Sequence, residues 1–200
     1  MSDNKITFNL MIAGVGGQGT VLASKLIAAA AMKKGFNVRT TETIGMAQRG
    51  GSVFGHCRIG ENIFSPIIPL GKANAIIGFE PAEAVRQLPY LEERGSVVVC
   101  DTAIKPINCP DVNAYQGSEM IDYLKKNVQN LIVMDGQRLI KESDRYQQIT
   151  KALNVAILGA AVQNGIFPFD ADTLKEALTE MLPPKFLEMN LRAFELGRMT

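Results

Sequence analysis

The chain has 200 residues, 46% of them apolar and 20% charged, which is an ordinary globular composition with room for one α/β domain. A formal net charge of +1 gives no electrostatic case for nucleic acid or an anionic membrane, and the longest apolar segments are broken by glycines or charges well short of membrane-spanning length. The Met1-Ser2-Asp3-Asn4-Lys5 start has none of the basic, apolar and cleavable parts of a secretory leader, so the expected location is cytoplasmic.

Lys5 to Ala13 reads as a buried parallel strand, because Phe8, Leu10, Met11 and Ile12 are nearly continuous apolar residues. A helix follows from Thr20 to Lys34, stopped by Gly35. After Thr20 its only polar residues before the last turn are Ser24 and Lys25, so it should be covered on more than one side. Val38 to Thr43 is a second strand and Ser52 to Ile59 a third. In the third, Val53, Gly55, Cys57 and Ile59 share one face, and Phe54, His56 and Arg58 the other. Gly60-Glu61-Asn62 is a turn compatible with a hairpin back to Ile63 and Phe64. Ala75 to Phe79 and Val97 to Cys100 are short apolar strands, with a helix opened by Pro81 between them.

Residues 102–117 carry loop-forming prolines, Asn, Asp and Gly. Ser118 to Lys126 is a short helix and Leu131 to Met134 a strand. An almost wholly apolar helix runs from Asn154 to Gln163 and stops at Gly165. Leu174, Ala177, Leu178 and Met181 follow helical spacing, with Asp172 as the expected cap, and Leu187, Leu191 and Phe194 repeat that spacing after Pro183-Pro184. The lysine pairs 33–34 and 125–126 fall near helix ends and read as solvated. No repeat or linker divides the chain, so residues 1–200 read as one domain. The expected fold class is α/β: a layered domain with a mostly parallel but mixed sheet, a Rossmann-like N-terminal βαβ and a helical C-terminus.

Two loops carry the functional signal. Gly14-x-Gly16-x-x-Gly19, with Gly17 and Gln18 inside it, lies between the first strand and the first helix, the context in which this pattern cradles phosphate. On that reading Gly14 takes the tight turn, Gly16 admits a phosphate close to the backbone, and Gly19 lets helix approach strand. Amides at the helix start attract an anion by roughly 0.3–1 kcal/mol in exposed settings. A nicotinamide site would also need Glu42, at the end of the second strand, on a ribose. The other open reading is a glycine turn that only packs strand against helix.

The second loop, Gln48-Arg49-Gly50-Gly51-Ser52, combines a planar fork of donors, two glycines able to turn their N–H groups toward one point, and a hydroxyl. It suits a carboxylate or phosphate, and equally suits a tight turn with an exposed arginine. Cys57, Cys100 and Cys109 form no C-x-x-C pair, and with His56 as the single histidine they do not make a disulfide framework, an iron–sulfur site or a zinc site. No metal is assigned to this chain, and no catalytic residue. His56 reads as a strand residue. Glu80 and Glu83 read as helix-start carboxylates placed by the helix dipole.

Together, Gly-Val-Gly-Gly-Gln-Gly at 14–19 and Gly-Met-Ala-Gln-Arg-Gly-Gly-Ser at 45–52 resemble the gamma domain of 2-oxoacid:ferredoxin oxidoreductases, in the version carried by beta subunits of the indolepyruvate-type enzymes. The segments at 65–69, 78–84, 154–160 and 185–190 extend the resemblance over nearly the whole chain. It implies a subunit of an enzyme that oxidatively decarboxylates an aromatic 2-oxoacid such as indolepyruvate to the acyl-CoA and reduces ferredoxin. It further implies thiamine diphosphate, Mg and Fe–S clusters on a larger alpha subunit, and coenzyme A as co-substrate. Arg49 with the Gly50, Gly51 and Ser52 loop is then expected at a substrate or coenzyme A entrance, or at the subunit interface. The alternatives that the residues leave open are a free-standing NAD(P)- or flavin-binding oxidoreductase and a non-catalytic nucleotide- or coenzyme A-binding protein.

Overall fold

A computed structural model describes residues 7–44, 50–105, 115–136, 138–139 and 152–200. In chain order they form β1 (Thr7–Val15), α1 (Thr20–Lys33), β2 (Asn37–Ile44), β3 (Ser52–Gly60), β4 (Ala73–Gly78), α2 (Pro81–Arg86), β5 (Leu91–Cys100), α3 (Gly117–Asn127), β6 (Asn130–Met134), α4 (Leu153–Gln163), α5 (Ala171–Met181) and α6 (Pro184–Arg198). The strands make one sheet in the order β2-β3-β1-β4-β5-β6. β1, β4, β5 and β6 are parallel, while β3 runs antiparallel to both β1 and β2. The first βαβ is therefore split: β3 lies between β1 and β2.

Strict alternation along the central strands feeds two cores. Leu10, Ile12, Ala75, Ile77 and Val98 face α1, α4, α5 and α6. Met11, Ile76, Val97 and Val99 face α2 and α3, where Ala84, Ile121 and Leu124 complete the packing. β3 divides as its sequence predicts: Cys57 and Ile59 join the first core, and Phe54 packs on the second. α4 is buried from Asn154 to Val162 and lies against α6. The two helices approach backbone to backbone at two glycines. A Cβ at Gly159 would overlap the Phe194 carbonyl oxygen, and one at Gly197 would overlap that of Ala156.

The structure departs from the sequence pattern in three places. Ile63 and Phe64 form no strand. Ile68 is instead buried, its amide donates to His56 Nδ1 at 3.2 Å, and Arg58 Nη1 donates to the Ser65 carbonyl at 3.1 Å, so the segment folds over β3 rather than pairing with it. β5 starts at Leu91, earlier than the apolar run at Val97, because polar Glu92, Glu93 and Arg94 extend it beyond the core. Finally, α5 is capped by Asp170, not Asp172. Asp170 Oδ1 accepts from the Thr173 amide at 2.9 Å and from its hydroxyl at 2.6 Å, while Asp172 sits in the first turn. Cys109 lies outside the described residues.

Candidate functional site

Helix α1 follows β1 onto one face of the sheet, whereas α2 follows β4 onto the other. The carboxyl ends of β1 and β4 thus part around a crevice, where ligands of open α/β sheets bind. A cavity of about 320 Å³ opens there. It is lined by Val15 to Gln18 of the glycine loop, by Gly50 and Phe79, by Cys100, Thr102 and Ile104 after β5, and by Leu153 and Asn154 at the start of α4. The two loops singled out in the sequence meet here. The Gly16 amide donates to the Gly51 carbonyl at 2.8 Å, and the Gly50 amide donates to the Gly16 carbonyl at 3.2 Å. These bonds carry the β1–β3 ladder past its Val15–Ser52 pair and make one rim of two motifs.

Individual roles within the rim differ from those expected. Gly14 belongs to β1, and the turn is taken by Gly17 (φ 101°) and Gly19 (φ 79°), the left-handed region open to glycine. Gly14 instead clears space: a Cβ there would lie 2.8 Å from Gln18 Oε1 and 3.1 Å from Phe79 Cβ. Gly19 makes room for Asn154 rather than for β1, since its added Cβ would overlap Asn154 Nδ2. Gln18 is a clasp: its Oε1 accepts from the Val15 amide at 2.8 Å and its Nε2 donates to the Phe79 carbonyl at 2.9 Å, joining the ends of β1 and β4.

The Gly16 and Gly50 amides are already bonded, so among the described residues the donors available to an anion include the Gly17 amide, the first turn of α1, which has no side-chain cap, and the buried Thr102 hydroxyl on the cavity wall. The Ser52 hydroxyl is committed as well, donating to Glu83 Oε2 at 2.5 Å. Gln48 and Arg49 lie outside the described residues. Glu42 sits on β2, separated from β1 by the whole of β3, at roughly 10 Å for two strand spacings. A ribose held at the β1 loop needs its acid on the adjacent strand, so this geometry does not serve a nicotinamide site.

The titratable groups nearby are insulated. Burial raises the Glu80 carboxyl above its usual range, opposed by the Tyr115 hydroxyl and by the amides of Glu83, Ile104 and Ala82. Burial likewise raises the Cys100 thiol, opposed by Thr102, and pushes Cys57 up to about 12. His56 is buried, edge-on to Phe54 and Tyr90, and burial lowers its pKa. Among the described residues no group of three or more His, Cys, Asp and Glu side chains converges to hold a metal ion, and no helix is long and apolar enough to cross a membrane. The cavity-lining residues not anticipated are Val15, Phe79, Cys100, Thr102, Ile104, Leu153 and Asn154. Asn154 carried a signal, as the polar residue opening an otherwise apolar helix.

Comparison with known proteins matches residues 9–200 to the family model of pyruvate ferredoxin/flavodoxin oxidoreductases. The chain belongs to this family. It is 37% identical over 198 residues to the indolepyruvate oxidoreductase subunit IorB of Thermococcus kodakarensis, covering 95% of this chain and 94% of that one. Its fold is that of the pyruvate oxidoreductase subunit PORC of Thermotoga maritima (TM-score 0.66, 21% identity, 96% of each chain). It also matches a 2-oxoglutarate:ferredoxin oxidoreductase of Magnetococcus marinus solved with 2-oxoglutarate, coenzyme A and succinyl-CoA (TM-score 0.69, 20% identity, 96% of this chain and 30% of that one). As a family member the chain is an oxidoreductase subunit of the 2-oxoacid:ferredoxin type, working within a hetero-oligomer.

Proposed function

We propose that this chain is the beta subunit of a cytoplasmic indolepyruvate:ferredoxin oxidoreductase, a single gamma-type domain over residues 1–200, and that its rim binds the anionic part of coenzyme A. The enzyme converts the aromatic 2-oxoacid to its acyl-CoA and passes electrons to ferredoxin. Thiamine diphosphate, Mg and the Fe–S clusters belong to the larger alpha subunit. Supporting the substrate assignment is the 37% identity, along almost the full length, to an indolepyruvate oxidoreductase subunit. The observation that carries the coenzyme A role is the joining of the Gly14–Gly19 and Gly50–Ser52 loops by two backbone bonds around one cavity at the sheet's switch point.

The test is an Arg49→Ala chain reconstituted with its alpha subunit. A raised apparent KM for coenzyme A supports a role in binding, and unchanged kinetics reject it. Loss of assembly in the same variant would instead assign the loop to the subunit interface.

A further inference from the structure

Two acidic residues of the α2 start are buried without lining the cavity themselves: Glu80 is 1% exposed and Glu83 is 6% exposed. A buried carboxylate is costly unless it is bonded, so what each holds is informative. Glu80 Oε2 accepts from the Glu83 amide at 3.0 Å, and its other oxygen accepts the Tyr115 hydroxyl; the Ile104 amide also reaches this carboxylate. Glu83 Oε2 accepts the Ser52 hydroxyl at 2.5 Å, and Glu83 Oε1 lies 3.3 Å from Arg86 Nε. One turn of helix therefore grips the segment after β5 through Ile104 and the first residue of β3, Ser52. Both line or adjoin the cavity.

We infer that Glu83 is a positioning residue for the anion-binding rim: by holding the Ser52 hydroxyl it fixes where Gly51 and Gly50 lock onto Gly16. This rests on the proposed coenzyme A role of the rim. It reassigns Ser52, whose hydroxyl is spent on Glu83 and acts as a prop rather than as a ligand. Glu83 does not line the cavity and acts through Ser52.

The test uses the reconstituted complex with Ser52→Ala, Glu83→Ala, the double variant, Ser52→Thr and Arg49→Ala. If the prop acts as described, Ser52→Ala and Glu83→Ala each raise the KM for coenzyme A about tenfold, well beyond any fall in kcat. The double variant rises no further than the larger single, as residues in one hydrogen-bonded pair do, and Ser52→Thr returns to within about twofold of wild type. Ser52→Ala removes a single oxygen, so it keeps the test alive if Glu83→Ala does not fold. The inference is overturned if Arg49→Ala raises the KM while Ser52→Ala leaves it within twofold, or if the two single effects multiply. If Arg49→Ala also leaves every KM unmoved, the coenzyme A reading itself fails and the inference falls with it.

Discussion

Asn154 closes on Gly19 from 135 positions away, with its Nδ2 3.4 Å from the Gly19 carbonyl oxygen. Its own Oδ1 accepts the Val155 amide at 2.9 Å, so one side chain both satisfies the start of α4 and braces the glycine turn. The glycine loop is thus held from three sides: by Gln18 along the sheet, by Gly50 and Gly51 across the ladder, and by Asn154 from the helix above.

Alanine at Gly19 and at Gly17 should separate conformational strain from contact. Both have positive φ, and an added Cβ at Gly17 meets nothing within 4 Å. Gly17→Ala is expected to cost about 1–2 kcal/mol from the left-handed backbone alone. Gly19→Ala adds displacement of Asn154 and should cost roughly 1 kcal/mol more. Equal denaturation midpoints for the two would show that Asn154 gives way freely.

The crossing of α4 and α6 should tolerate no methyl group. Gly197→Ala sets a Cβ onto the backbone of Ala156, which has no rotamer to yield, so we expect a loss of at least about 3 kcal/mol or failure to fold. Gly165→Ala is the control: its φ is +68° with open space around it, and it should cost only about 1–2 kcal/mol. Urea denaturation of the two variants checks the contrast.

Acid should weaken the fold through His56. Burial lowers its pKa in the folded state below the ordinary 6.5, so over the interval between these two values the unfolded chain binds more protons than the folded one. His56's favourable contribution is full above pH 6.5 and is lost as the pH falls toward the folded value. In His56→Asn, whose side-chain oxygen can still accept the Ile68 amide, the slope of midpoint against pH between 5 and 7 should flatten. An unchanged slope would place the titration elsewhere.

The cap of α5 can be told from its neighbour in a melting experiment. Asp170→Ala removes both bonds to Thr173 and the 2.9 Å ion pair with Lys34, and should lower Tm by about 2–4 °C. Asp172→Ala should change it by under about 1 °C, as surface substitutions do.

The strands and helices that pack were legible because burial leaves a period in the sequence: Leu10 and Ile12 against Met11, or Leu174, Ala177 and Leu178. The sequence-based boundaries missed where hydrogen bonding rather than burial sets the element, as in Glu92 to Arg94 of β5 or the segment that Ile68 anchors beside His56. The site was legible as two motifs, since Gly16 was recognisable as a place for close backbone approach and Gly50-Gly51 as glycines able to turn their N–H groups toward one point. Their bonding to each other was not, because nothing in local composition encodes a ladder between residues so far apart. For the same reason Glu83 read as a helix-dipole carboxylate: its partner, Ser52, lies on another strand.

The glycine contact between α4 and α6 also sets an order of events during synthesis. The glycine loop is made 135 residues before Asn154, and Leu153 and Asn154 on the wall opposite it belong to a helix that packs on α6, the helix carrying Gly197. A nascent chain therefore carries its most recognisable motif long before it has a cavity, and the binding surface comes into being only once α4 and α6 have both been made.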